Sequence, residues 1–184
     1  MKTKIIIAIL SVVVGNLMYP QRIEAQFCAV KANALAALTG TVNLGVDVSV
    51  ADKWTVDLSG YWNPINSPSI SSRFYGVQAG TKHWLYESFV GHFFGVQLTY
   101  GNYLWGNSSR YFRGNLTGVG FSYGYSWMLS KRWNVTVEAG LGLFYMNDTR
   151  RERVDPAYEP IYIRRYKRLA VGPSRAEVSF SYLF

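Results

Sequence analysis

The chain ends in Val178-Ser179-Phe180-Ser181-Tyr182-Leu183-Phe184, and this stretch decides the fold. Apolar or aromatic residues stand at every second position and serines stand between them. A spacing of two places Val178, Phe180, Tyr182 and Phe184 on one face of a β-strand. If the same alternation recurs through the rest of the chain, it predicts an all-β protein.

The alternation recurs upstream and predicts eight strands. The clearest is 115–127, where bulky residues from Val119 to Trp127 alternate with glycine and serine. The predicted strands are 28–37, 43–50, 54–62, 73–84, 92–103, 115–127, 133–146 and a closing strand that begins near Val171. Strands of about 9–13 residues suit a tilted crossing of a bilayer, whereas strands of globular sheets are usually shorter.

The face opposite the apolar one is unusually small, since it carries ten glycines: Gly45, Gly76, Gly80, Gly95, Gly101, Gly118, Gly120, Gly124, Gly140 and Gly142. An eight-stranded barrel has an interior only wide enough for its own side chains, which explains so many small residues. Aromatic residues near the strand ends are typical of interfacial girdles: Trp54, Trp62, Tyr100, Trp127, Trp133 and Phe184. We therefore predict an eight-stranded antiparallel up-and-down transmembrane β-barrel.

The connections alternate in length as well. Those after the second, fourth and sixth strands are short, and those at 63–72, 106–114 and 147–170 are longer. Outer-membrane barrels have short periplasmic turns and longer outside loops. The short first connection, 38–42, departs from this pattern.

The closing strand resembles that of bacterial outer-membrane β-barrels, which end on a carboxyl-terminal aromatic residue. The resemblance implies that Phe180, Tyr182 and Phe184 form the signal read by the barrel-insertion machinery. It also implies an integral protein of the bacterial outer membrane.

The first 25 residues read as a secretory signal. Lys2 and Lys4 precede an apolar run of about ten residues, too short to span a bilayer. Cleavage after Ala25 would leave residues 26–184 as a single barrel domain, and a retained membrane anchor is the alternative. Phe27 before the single cysteine, Cys28, disfavours a lipoprotein, and one cysteine excludes an intramolecular disulfide.

Charged residues fall on the inward face of several predicted strands. They are Lys31, Asp47, Asp57, Lys82, Glu138, Arg175 and Glu177. In so narrow a space these charges must pair, because an unpaired buried charge is very costly. We interpret them as a salt-bridged plug with no open pore; a proton or ion path, and hence a small channel, is the alternative.

Two histidines are the only candidates for catalysis. His83 and His92 flank the short connection after the fourth strand. A lipid-modifying enzyme would pair a histidine with a serine near the outer rim, whereas both of these lie near the predicted periplasmic end. No metal-ligand spacing occurs, so we expect a non-enzymatic protein without a cofactor or metal, with the lipid-modifying enzyme as the alternative.

The segment 147–170 is strongly basic. Its cationic residues are Arg150, Arg151, Arg153, Arg164, Arg165, Lys167 and Arg168, and 161–166 could extend the barrel as a hairpin arm. Arginine pairs well with phosphate, so this patch at the outer rim would meet lipopolysaccharide. Recognition of a surface partner and simple pairing with lipid headgroups both remain open, and nucleic acid is disfavoured by location.

Several stretches together resemble a domain-of-unknown-function family of small outer-membrane proteins in Bacteroidota. They include Gly91-His92-Phe93-Phe94-Gly95-Val96, Leu129-Ser130-Lys131-Arg132-Trp133-Asn134 and Gly172-Pro173-Ser174-Arg175-Ala176. The resemblance implies no known activity, but it implies a structural or surface-interaction role near fimbrial or other cell-envelope assembly genes, with fimbrial or surface proteins as partners. Members often have an acidic residue where Gly80 stands, which would deprive Lys82 of a partner. Many also have a cysteine pair in the last long loop, where this chain has none.

Overall fold

A computed structural model describes the backbone of residues 27–65, 70–107, 110–152 and 163–184. The chain is all-β, and its strands form one closed barrel in which each strand pairs with the next in sequence. The strands are β1 (Cys28–Asn33), β2 (Val42–Ala51), β3 (Trp54–Asn63), β4 (Ile70–Trp84), β5 (Gly91–Asn107), β6 (Arg110–Ser130), β7 (Trp133–Glu152) and β8 (Ile163–Leu183). All neighbours are antiparallel, which confirms the predicted eight-stranded up-and-down barrel.

The barrel closes between β1 and β8. Ala29 lies opposite Leu183, and Asn33 lies opposite Ser179. The terminal residue continues this seam, since the Phe184 amide donates to the Cys28 carbonyl at 2.9 Å and the Phe27 amide donates to the Phe184 carbonyl at 3.2 Å. The closing strand therefore meets the start of the barrel along its final residues.

The two ends of the barrel differ. One end, called here the turn end, carries the connections β2–β3, β4–β5 and β6–β7 together with Phe27 and Phe184. The other, called here the arm end, carries the long strand pairs β5–β6 and β7–β8. The parts of these pairs that extend beyond the shorter strands β1 to β3 are called here the arms. The barrel wall is consequently tallest on its β5–β8 side.

Polarity is inverted relative to a soluble protein. Outward residues such as Leu98, Phe121 and Val171 are 65%, 56% and 75% exposed, whereas inward Gln97 and Ser122 are buried. The six aromatic residues predicted to form girdles are all exposed on the outside. The alternation in the sequence thus separates an apolar outer face from a polar interior.

Close packing in the interior requires glycine at particular points. A Cβ on Gly142 would lie 2.7 Å from the Val119 carbonyl oxygen and 2.9 Å from the Ser174 Cβ. A Cβ on Gly118 would lie 2.3 Å from the Phe144 ring. These positions leave no room for a larger residue.

The prediction of a first strand over 28–37 is wrong in its second half. β1 ends at Asn33, and Ala34–Leu38 form a short helix, α1. The Asn33 side chain accepts a hydrogen bond from the Ala36 amide and caps the helix, while alanine and leucine are strong helix formers. No helix in the described ranges is long and apolar enough to cross a membrane.

The predicted loops 106–114 and 147–170 are also largely wrong. β5 and β6 continue to Asn107 and Arg110, and β7 and β8 continue to Glu152 and Ile163. The extension follows from uninterrupted pairing, in which Trp105 lies opposite Phe112 and Asp148 lies opposite Tyr166. Residues 163–166 of the suggested hairpin arm form the start of β8. Residues 161 and 162 lie outside the described part of the chain.

Candidate functional site

The barrel interior holds all seven charged residues that the sequence placed there. Each is buried: Lys31, Asp47, Asp57, Lys82, Glu138, Arg175 and Glu177. They come from β1, β2, β3, β4, β7 and β8, so the charges join strands on opposite sides of the barrel.

The carboxylates occur as two pairs of neighbours in the sheet. Asp47 lies opposite Asp57 on β2 and β3, and Glu138 lies opposite Glu177 on β7 and β8. Like charges directly opposite one another destabilise a sheet unless cations compensate them. The interior therefore contains two anionic positions that need bridging.

Three cations bridge the two carboxylate pairs. The Lys31 ammonium lies 3.0 Å from Asp47, 3.8 Å from Asp57 and 3.7 Å from Glu177. The Lys82 ammonium lies 2.9 Å from Asp47 and 3.5 Å from Glu138. Each of these two lysines thus contacts both pairs.

Arg175 makes the strongest set of contacts. Its guanidinium donates to Asp57 at 2.7 Å and to both oxygens of Glu138 at 3.0 and 3.3 Å. It also donates to the Gln78 side chain at 2.9 Å and lies 3.9 Å from Glu177. Such charge-assisted hydrogen bonds in a buried site fix the side chain in one position.

Neutral polar groups complete the network. Ser122 donates to Glu138 at 2.6 Å, and Gln97 donates to the Ser174 hydroxyl at 2.9 Å. Ser174 reaches the interior because the register between β7 and β8 shifts at Gly140 and Leu141. These residues were not predicted to belong to the network, although Gln97 and Ser122 stand on the polar face of their strands.

Glu177 is the least satisfied member of the network. Neither of its carboxylate oxygens has a hydrogen-bond partner among the described residues, and its nearest cations lie at 3.7 and 3.9 Å. The seven residues carry three positive and four negative formal charges. Glu177 is therefore the position at which the excess negative charge is least compensated.

Lys82 does not depend on an acidic residue at position 80. It pairs with Asp47 and Glu138, while Gly80 packs against Asp57 and the Val96 carbonyl. A Cβ at Gly80 would lie 2.7 Å from that carbonyl oxygen, so a larger side chain would not fit without rearrangement.

An apolar cap, which the sequence analysis missed, closes the turn end. It consists of Ala29, Trp84, Phe89, Phe93 and Leu183, all buried. Phe89 has a positive φ of 71°, a conformation that costs a non-glycine residue about 1–3 kcal/mol. Burial of its ring beside Trp84 offsets this cost. The Asn134 side-chain amide also donates a hydrogen bond to the Phe89 carbonyl oxygen at 2.6 Å. The 85–91 connection therefore places the Phe89 ring inside the barrel, while Leu85 and Tyr86 remain exposed.

The arm end of the barrel lies above the seven charged residues, which are called here the charged layer. A cavity of about 680 Å³, called here the mouth cavity, lies there, with Phe74, Phe112, Leu116 and Met146 among its walls. Arg168 also lines it and forms an ion pair with Asp148 at 2.8 Å. From the turn end to the arm end, the interior therefore contains the apolar cap, the charged layer and the mouth cavity.

The two histidines lie on the outside of the turn end. His83 packs edge-on against Trp54, and the His92 Nδ1 is 2.6 Å from the Tyr123 hydroxyl. Neither has a serine or carboxylate partner in the described part of the chain. Their arrangement does not assemble a nucleophile and base.

The described cations of the basic patch lie on both faces of β8. Arg165 and Lys167 are exposed on β8, whereas Arg168 reaches the mouth cavity. Arg153 lies outside the described residues, and so do the side chains of Arg150, Arg151 and Arg164. Among the described residues no group of three potential ligands could hold a metal ion.

The closing strand places Phe180, Tyr182 and Phe184 along its outer face. The Tyr182 ring contacts both Trp133 and Phe184 edge-on, with centroids 5.1 and 4.9 Å away. The three residues of the predicted insertion signal therefore form one aromatic edge near the turn end.

Comparison with known proteins gives the family but no closer relative. No curated protein and no solved structure matches the chain. A family model, described as a protein of unknown function, matches residues 7–184, which is nearly the whole chain. The chain therefore belongs to the protein family of unknown function DUF3575.

Proposed function

We propose that this protein is an integral β-barrel of the bacterial outer membrane, with a closed interior and a structural or surface-interaction role. The observation that carries the proposal is the inverted polarity of the barrel. Leu98, Val119, Leu143 and Val171 are exposed on the outside, whereas seven charged residues are buried inside. Only a surrounding lipid phase would make such an outer face favourable.

The difference between the two ends of the barrel supports one orientation in the membrane. Outer-membrane barrels have short periplasmic turns and longer outer extensions. The turn end, with its short connections and Phe184, would face the periplasm, and the β5–β8 arms would extend outside the cell. The mouth cavity and the exposed cations of β8 would then be available to surface partners.

The filled interior supports a role other than transport. Three cations bridge four carboxylates across the lumen, and the apolar cap closes the turn end beneath them. An eight-stranded barrel has space only for its own side chains. Membrane anchoring of the arms is the role that this arrangement supports best.

Fractionation of cells that express the full chain tests the proposal. We expect the protein in the outer-membrane fraction, with a gel mobility in detergent that changes on heating because the barrel unfolds. Recovery in the soluble periplasmic fraction, with no heat-dependent mobility, would refute it.

The link to fimbria or cell-envelope assembly is a finer part of the proposal and rests on the family resemblance noted in the sequence. Co-purification from outer membranes after crosslinking tests it. Fimbrial or envelope-assembly subunits are the expected partners, and their absence from the crosslinked products would contradict the link.

A further inference from the structure

The outer wall of the arms carries a polar cavity with no assigned role. It has a volume of about 300 Å³ and is lined mainly by Asn102, Arg113, Asn115, Asn147, Thr149 and Arg165. These residues come from four consecutive strands, β5 to β8, and none of them belongs to the interior network. The site is distinct from the mouth cavity, which has a different set of walls.

The strand register places the residues that line the cavity in two rows, each of which runs across the strands. In the lower row Asn102 lies opposite Asn115, Asn115 opposite Asn147, and Asn147 opposite Lys167. In the upper row Thr149 lies between Arg113 and Arg165, opposite both. A row of amides therefore lies directly beneath a row with an arginine on either side of a threonine.

Among the described residues, no acidic side chain compensates the charge of the cavity. Arg113 and Arg165 are exposed, and neither has an ion pair or hydrogen bond from its side chain among the described residues. Asp148, which lies between Asn147 and Thr149 on β7, points inward, accepts a hydrogen bond from Tyr103 and pairs with Arg168. The walls thus offer cationic and amide donors with no carboxylate among them.

This donor set suits a phosphate. The two arginines are separated by two strand spacings, about 10 Å, so that both side chains can converge on one anion above Thr149. Arginine binds phosphate oxygens bidentately, and asparagine and threonine add neutral donors. A compact anion with several oxygens uses all of these groups.

The wall below the cavity is apolar. The next rung holds Tyr100, Thr117, Tyr145 and Leu169, and the one at a further two residues holds Leu98, Val119, Leu143 and Val171. Most of these side chains are exposed large hydrophobic groups. A phosphate in the cavity would therefore sit immediately above a surface suited to acyl chains.

We propose that Arg113, Arg165 and the asparagine row bind the phosphate of a lipid in the outer leaflet of the membrane. The assignment rests on the proposed function, because it takes the apolar wall as the lipid-facing surface. It deepens that function by naming a lipid-binding site on the arms.

Native mass spectrometry of the full protein in zwitterionic detergent tests the site. The probes are bisphosphorylated lipid A and the same lipid after removal of both phosphates. We expect the protein to prefer the phosphorylated form by about tenfold or more, since hydrogen bonds to a charged group are strong. Arg113→Ala and Arg165→Ala should each reduce the preference, and the double variant should abolish it.

Arg73→Ala is the matched control. Arg73 is exposed and lies opposite Leu104, which lies opposite Arg113, so it occupies the same rung but lines the mouth cavity instead of the polar cavity. An equal loss of preference in Arg73→Ala would overturn the site in favour of general rim charge, as would an unchanged preference in the double variant. Full competition by inorganic phosphate at the same concentration would overturn the assignment to a lipid.

The lipid-preference test and the fractionation test can fail independently of each other. A phosphate preference that depends on Arg113, in a protein that fractionates as soluble, would contradict the outer-membrane location but support the site. An outer-membrane protein that shows no preference for the phosphorylated lipid would support the location and contradict the site.

Discussion

Glu138 and Glu177 lie opposite each other in the sheet, but their surroundings differ. Glu138 accepts from Arg175 and Ser122, whereas Glu177 has only cations at 3.7 and 3.9 Å. Removing one partner of a well-made buried ion pair is costly because the other charge loses its compensation. The same change at a poorly compensated charge costs much less.

We therefore expect Glu138→Gln to lower the free energy of unfolding by about 3–5 kcal/mol. Glu177→Gln, the matched control, should change it by less than about 1 kcal/mol or raise it, because it removes the excess negative charge. Urea unfolding in detergent, followed by tryptophan fluorescence, measures both. Equal losses would contradict the assigned network.

The glycines of the interior allow a second comparison. A Cβ at Gly142 meets the Val119 carbonyl, while one at outward-facing Gly60 has no neighbour nearer than 3.9 Å. Gly142→Ala should destabilise the barrel by about 1–3 kcal/mol through overpacking. Gly60→Ala should stay within about 0.5 kcal/mol of wild type in the same unfolding measurement, and a larger loss there than at Gly142 would be inconsistent with the packing.

The charged residues of the site could be predicted from the sequence because each stands on the small face of an alternating strand. Lys31 and Arg175 are examples, since parity alone places them inside. The pairing of each cation with both carboxylate pairs could not be predicted, because it depends on the stagger of the closed barrel. Ser174 was missed because a register shift, rather than parity, turns it inward.

At the scale of the elements, the central strands were predictable and their limits were not. In β6, Val119 to Trp127 alternate with glycine and serine, a pattern that fits only a strand. Ala34–Leu38 show the reverse case, since their alternation of size fits a strand but the cap at Asn33 starts a helix. The arms extend further than expected because each strand supplies hydrogen-bond partners to the next.

The seam between β1 and β8 is short, as is the β1–β2 pair, since β1 has only six residues. The Phe184 amide and carbonyl add two hydrogen bonds to this seam. Deleting Phe184 should lower the assembled outer-membrane level several-fold while leaving secretion of the processed chain intact. Immunoblots of outer-membrane and periplasmic fractions measure this.

Phe184→Tyr serves as the control for that deletion, because it keeps the backbone bonds and the aromatic ring; it should assemble at nearly the wild-type level. A normal outer-membrane level of the truncated chain would rule out a dominant role for the terminal residue in assembly.

For the whole molecule, we expect the interior layers to block the passage of ions. The apolar cap and the charged layer lie in series, so an ion would have to pass both. We expect no steady conductance in a planar bilayer, with a known open porin as the positive control. Stable unitary steps from the purified protein would indicate a channel instead of a closed barrel.

The most direct test of the central claim is the environment of the outer face. In a Cys28→Ser background, spin labels are attached to Leu98→Cys on the apolar wall and to Asp52→Cys in a turn, and the protein is reconstituted in bilayers. The inverted barrel predicts that the label at position 98 collides mainly with oxygen, which partitions into lipid, and that the label at position 52 collides mainly with a water-soluble nickel chelate. Strong collision of the chelate at position 98 would show that the apolar face meets water, and would contradict a membrane-spanning barrel.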